Sequence, residues 1–91
     1  MKSYNWNSEK NSLLKEMRNI SFEEIVLAIS MNGIIKTYEH PNQEKYPDQK
    51  IYEIDFNEYV YLVPYIENEN EFFLKTIIPS RKATKKYNRT K

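Results

Sequence analysis

Ninety-one residues with one Gly, four Pro, no Cys, 40% apolar side chains and a net charge of +1 describe one domain with a modest core. Without cysteine there is no disulfide and no thiolate for a metal, the single histidine, His40, leaves little imidazole for zinc, and no apolar run approaches the roughly 20 residues of a membrane span. The opening MKSYNWNSEKN is too polar for a secretion signal, so the expectation is a cytoplasmic protein without metal or other cofactor.

Asn7 is placed to cap a helix through SEKNSLLKEMR, because its side-chain oxygen can accept from an amide of the first turn. Leu13, Leu14 and Met17 are expected to face inward, and Asn19 tolerates the left-handed conformation that ends a helix. Ser21 then stands three residues before Glu24 in SFEE, a capping box. Phe22, Ile25, Val26 and Ile29 follow at helical spacing until Gly33 stops the second helix.

Beyond Gly33 the period falls to two. IIKTYE, KIYEIDF, YVYLVPYI and EFFLKTII are rich in Ile, Val, Tyr and Phe, and read as four strands. HPNQEKYPDQ is a loop, whereas NE at 57 and 58 and ENEN at 67 to 70 are short enough for hairpins, so the strands form an antiparallel meander. Pro64 has no N–H to give a ladder and belongs at a bulge or where the strand amide faces away from its neighbour. Phe22, Ile25, Val26, Ile29, Ile54, Phe56, Leu62, Leu74 and Ile78 are the expected core. After Pro79, Ser80 is positioned to cap a last helix, RKATKKY, with residues 88 to 91 free to fray. The expected fold is α+β: two N-terminal helices followed by a four-stranded antiparallel sheet and a short C-terminal basic helix, in one domain over residues 1–91.

Charge is unevenly spread. Residues 1 to 36 hold five basic and four acidic groups, residues 37 to 71 two and nine, and residues 72 to 91 seven and none, giving sums of +1, −7 and +7. Such a terminus is either a solvated end or a face for an anionic partner such as RNA.

Two stretches, YNWNSEKNSLLKEMRNISFEEIV and IIPSRKATKKY, resemble in order the signature segments of the BrnT-like toxins of bacterial toxin–antitoxin pairs. The matching positions are Trp6, Lys10, Asn11, Ser21 to Glu24, and Arg81 to Ala83. Where that family carries Asp, His and Gly, this chain has Asn7, Arg18 and Asn19, and the family's strand Arg falls on Thr76. The resemblance implies a RelE-like fold, ribonuclease activity on mRNA, with or without the ribosome, and a cognate antitoxin, of ribbon-helix-helix type.

Metal-free RNA cleavage needs a base for the 2′-hydroxyl proton, cations for charge developing at phosphorus, and an acid for the departing oxygen. Arg81 and Lys82, where the last strand passes into the terminal helix, are the expected catalytic cations. Tyr87, beside Lys85, Lys86 and Arg89, is a candidate base if those cations lower its pKa, though the plainer reading is a tyrosine that packs the last helix turn on the sheet. His40 titrates in the right range but stands in a polar loop. Lys10, Lys75, Lys85 and Lys86 are candidates for RNA contact. Tyr52, Tyr59, Tyr61 and Tyr65 suit base stacking or, more simply, cross-strand packing. A non-catalytic RNA-binding module, or a protein-interaction domain whose basic tail meets an acidic partner, are the alternative readings.

Overall fold

The computed structural model describes residues 2–90. Its elements run β1 (Ser3–Trp6), α1 (Ser8–Arg18), α2 (Phe22–Ser30), β2 (Ile34–Glu39), β3 (Lys50–Phe56), β4 (Tyr59–Glu67), β5 (Glu71–Leu74), β6 (Ile78–Pro79) and α3 (Arg81–Thr90). The fold is α+β, but the expected four-stranded antiparallel sheet is instead an open, mixed sheet of six strands among the described residues, ordered β1-β5-β4-β3-β2, with β6 paired to β4.

Both N-terminal helices follow their caps. Asn7 is extended, at φ −79°, and accepts from the Lys10 amide at 2.9 Å, while Asn19 sits at φ 55° and closes α1. Ser21 and Glu24 form the capping box in both directions. Gly33 does not end α2 by its conformation, since Asn32 supplies the left-handed residue at φ 64°. Gly33 is required by crowding: a Cβ there would lie 2.7 Å from the Ala28 carbonyl oxygen and 2.9 Å from that of Asp55.

The strand absent from the expected fold is β1, which pairs in parallel with β5, Ser3 to Glu71 through Trp6 to Leu74. Its alternation is short but physical. Tyr4 stacks on Phe72 at 5.0 Å and Trp6 on Phe22 at 5.7 Å, while Ser3 and Asn5 point to solvent.

The expected strand EFFLKTII is broken into β5 and β6. The pair Tyr65–Leu74 would continue in register to Leu62–Ile77, yet Leu62 faces Ile78, so one extra residue is inserted between Lys75 and Ile78, opposite Val63 and next to Pro64. The Pro64 carbonyl accepts from the Lys75 amide at 2.8 Å, so the proline's missing N–H falls at the last in-register position, where the ladder to β5 stops. The insertion shifts the strand's phase. Leu74 and Ile77, an odd three residues apart, are both fully buried in one cluster, whereas Ile78, expected in the core, is 40% exposed.

Leu14, Ile20, Phe22, Ile25 and Ala28 from the helical side pack on Tyr52, Ile54, Val63, Tyr65, Leu74 and Ile77. Val26, Ile29 and Phe56 lie at its margin, and Leu62 is half-buried outside it. Leu13 and Met17, expected inward, are exposed, because α1 buries only the stripe of Asn11 and Leu14. Tyr52 and Tyr65 are cross-strand packing residues, stacked at 3.9 Å with ring planes 8° apart. Burial, and then hydrogen bonding with Tyr4, raises the pKa of Tyr52 and keeps its hydroxyl protonated. Since residues alternate along β3 and β4, Glu53, Val60 and Leu62 project from the opposite face. That face carries α3.

Candidate nucleic-acid interface

α3 is held to the sheet by hydrogen bonds at its first turn. Ser80 donates its amide to the Val60 carbonyl at 2.9 Å, and its own carbonyl accepts from the Thr84 amide at 3.0 Å. Ser80 Oγ accepts from the Ala83 amide at 3.1 Å, as a cap does. Thr84 Oγ1 donates to the Ser80 carbonyl at 2.7 Å and accepts from the Val60 amide at 2.8 Å. A hydroxyl with one donor and one acceptor role thus satisfies the strand amide just where β6 ends.

The helix then sorts its side chains by face. Ala83, Thr84 and Tyr87 are half-buried, whereas Arg81, Lys82, Lys85 and Lys86 are exposed. Lys82 and Lys86, one turn apart, form with Ala83 one wall of a cleft of about 240 Å³. Tyr38, Glu53 and Leu62 form its floor. These three share a sheet face because Lys36 pairs with Glu53, Tyr38 with Ile51, and Glu53 with Leu62. The Lys36 ammonium stands 5.5 Å from the centre of the Tyr38 ring. Burial first, then the nearby Glu53 charge, push the Tyr38 hydroxyl above its ordinary pKa, so the phenol stays protonated.

The expected site residues are only partly brought together. Lys82 and Lys86 face the cleft. Arg81 and Lys85, also one turn apart, are exposed and do not line it. Tyr87 lies on the half-buried side of the helix, as packing requires, and is not among the cleft residues. Lys75 is exposed in the β5–β6 connection, its ammonium 5.4 Å from the Phe73 ring centre. Lys10 is exposed on α1, in the helical layer over the other sheet face. His40 follows β2, outside the cleft lining. Its ring stands 4.4 Å from that of Tyr46, and its Nδ1 accepts from the Asn42 amide at 3.0 Å.

Glu53 and Tyr38 are the residues sequence reasoning missed. Their signal was a period-two position opposite the core, which ordinarily marks a solvated face. Arg18 is a second omission: its guanidinium donates to the Ile77 carbonyl, which brings a cation to the chain next to Thr76. Among the described residues, the ion pairs are Lys2–Glu67, Lys15–Glu23 and Lys50–Glu67, so Arg81, Lys82, Lys85 and Lys86 are not neutralised by a carboxylate. A helix anchored at its base, with two unpaired ammonium groups over a carboxylate and a phenol, suits an extended anion whose phosphates lie along α3.

The chain matches no known family model, no curated protein and no solved structure.

Proposed function

We propose that the chain is a metal-independent ribonuclease of RelE-like type, the toxin of a toxin–antitoxin pair, acting on mRNA in the cytoplasm and silenced by a ribbon-helix-helix antitoxin. The observation that carries this reading is the α3 cleft, in which Lys82 and Lys86 face Glu53 and Tyr38. Cations carried on an anchored helix are placed to stabilise charge developing on a phosphate. Arg81 and Lys85, on the exposed side of the same helix, serve to grip the flanking phosphates.

The resemblance to BrnT-like toxins adds support at one point. Those proteins carry an arginine where this chain has Thr76, and here the Arg18 guanidinium reaches the carbonyl of the adjoining Ile77. For the partner, the exposed Leu13 and Met17 on α1, Leu27 on α2 and Met31 just after it supply apolar surface for an antitoxin segment that orders as it binds.

Expression in bacteria is expected to arrest growth, and co-expression of the adjacent gene's product to relieve it. Purified protein is expected to cut RNA in the presence of EDTA, with or without ribosomes, and Lys82→Ala to lose cleavage with its fold intact. RNA binding without cleavage under both conditions would leave a binding module; neither binding nor growth arrest would sink the reading altogether.

A further inference from the structure

Cleavage of RNA without a metal requires a group that takes the proton of the attacking 2′-hydroxyl. Neither residue expected to do this lies in the cleft: Tyr87 packs on the half-buried side of α3 and His40 stands in the 40–49 loop. Glu53 is the carboxylate that lines it. Around it stand Lys36 and Tyr38 from β2, Leu62 from β4, and Lys82 and Lys86 from α3, with Asp55 two residues along the same face of β3. Tyr38 lines the same cleft from the neighbouring strand, diagonally across from Glu53, within reach to position its carboxylate. No ion pair engages Glu53 among the described residues, which leaves an oxygen available to substrate.

The geometry points to Glu53 as the general base of the cleavage step and to Tyr38 as its positioning residue, an assignment that rests on the ribonuclease reading. Glu53 takes the 2′-hydroxyl proton while the 2′-oxygen bonds to the adjacent phosphorus and the bond from phosphorus to the 5′-oxygen breaks. Lys82 and Lys86 hold the non-bridging oxygens. The 5′-oxygen leaves with a proton from one of these ammonium groups, and the products are a 2′,3′-cyclic phosphate and a 5′-hydroxyl. Glu53 returns its proton to water and the lysine regains one, so no co-reactant is consumed.

The test compares wild type, Glu53→Gln, Glu53→Asp and Tyr38→Phe on one RNA, with a 2′-O-methyl oligonucleotide of the same sequence as the uncleavable binding probe. Glu53→Gln is expected to lower kcat about 100-fold or more, the ordinary contribution of a general base, while binding the probe as tightly as wild type or more so. Any decline of the wild-type rate toward acid pH is expected to be absent in this variant. Glu53→Asp is expected to keep that acid limb at roughly a tenth of the rate or less, and Tyr38→Phe to lower kcat with KM unchanged. Should Glu53→Gln not fold, the rate of Glu53→Asp decides. Glu53 variants that cleave as wild type does overturn the assignment alone; a wild type that binds the probe and cleaves nothing overturns the ribonuclease reading and the assignment with it.

Discussion

Asn11 uses both ends of its amide to join the two N-terminal helices. Its Oδ1 accepts from the Phe22 amide at 2.8 Å, one of the donors that the first turn of α2 leaves without an intrahelical partner. Its Nδ2 donates to Glu23 at 2.7 Å, and the residue is buried. Asn11→Ala strands a buried backbone donor and is expected to cost about 2 kcal/mol in denaturant melts. The cost depends on pH. The Asn11 hydrogen bond first, then the Glu23 backbone amide and the charge of Lys15, hold the Glu23 pKa below its ordinary 4.5. The unfolded chain therefore takes up this proton more readily than the folded one. The Asn11–Glu23 contribution is complete above the ordinary carboxylate range and is lost as pH falls through the lowered value. The gap between wild type and Asn11→Ala is expected to be largest near neutrality and to narrow in acid, leaving the share that belongs to the Phe22 amide. A gap that stays constant down to pH 3 would mean that Glu23 takes no part.

Two junctions between elements show opposite uses of glycine. Gly33 joins α2 to β2 where the Ala28 and Asp55 carbonyls close in from both sides, so Gly33→Ala must push backbone aside. A loss of about 1 to 3 kcal/mol is expected, the usual range for overpacking. The β3–β4 hairpin is the converse. Asn57 and Glu58 sit at φ 52° and 63°, the two left-handed residues of a tight primed turn, and Glu58 occupies the position where Gly is favoured. Glu58→Gly is expected to stabilise by about 1 kcal/mol, because the left-handed penalty of a side chain outweighs the entropy of a freer unfolded chain. Thermal melts of both variants check the two signs together. Such junctions also mark what the sequence could convey about the fold. Helix caps act within four residues, and the ends of α1 and α2 were legible from Asn7, Asn19 and the Ser21–Glu24 box. The parallel pairing of β1 was not, since its partner lies 68 residues away, Ser3 opposite Glu71, and leaves no local trace beyond Tyr4 and Trp6. The one-residue insertion next to Pro64 was legible only as a need for some irregularity, so Ile78 was assigned the burial that Ile77 has.

Across the whole molecule part of the acidic segment lies away from the basic one, and this bears on any anion it binds. The acidic middle of the chain supplies Glu39, Asp48, Glu67 and Glu69 to a groove of about 550 Å³ where β2 ends, β3 begins and β4 turns into β5. The basic terminus forms α3, which starts beside Val60 near the other end of β4. With a net charge of only +1, attraction to RNA must come from this separation and not from the overall charge. The basic end of the site was legible in the sequence, because composition alone concentrates seven cations in the last twenty residues. Its acidic floor was not, because Glu53 meets Lys82 and Lys86 only after β3 and α3 have packed. If single-stranded RNA lies along α3 and meets Arg81, Lys82, Lys85 and Lys86, four neutralised phosphates give a slope of about −3 in log K against log salt. Replacing Lys82 and Lys86 together by Ala is expected to flatten that slope by about 1.4 and to weaken binding at low salt more than at high. Replacing Arg81 and Lys85 should flatten it by a similar amount, since phosphate contacts count by charge, yet should spare cleavage more than the cleft pair does. Slopes come from binding isotherms at four or more salt concentrations, with cleavage rates of the same two double variants measured at saturating RNA. Equal slopes for all three proteins would mean that α3 does not touch the phosphates, and the anion would then have to be sought on the Arg18 and Lys75 side of β6.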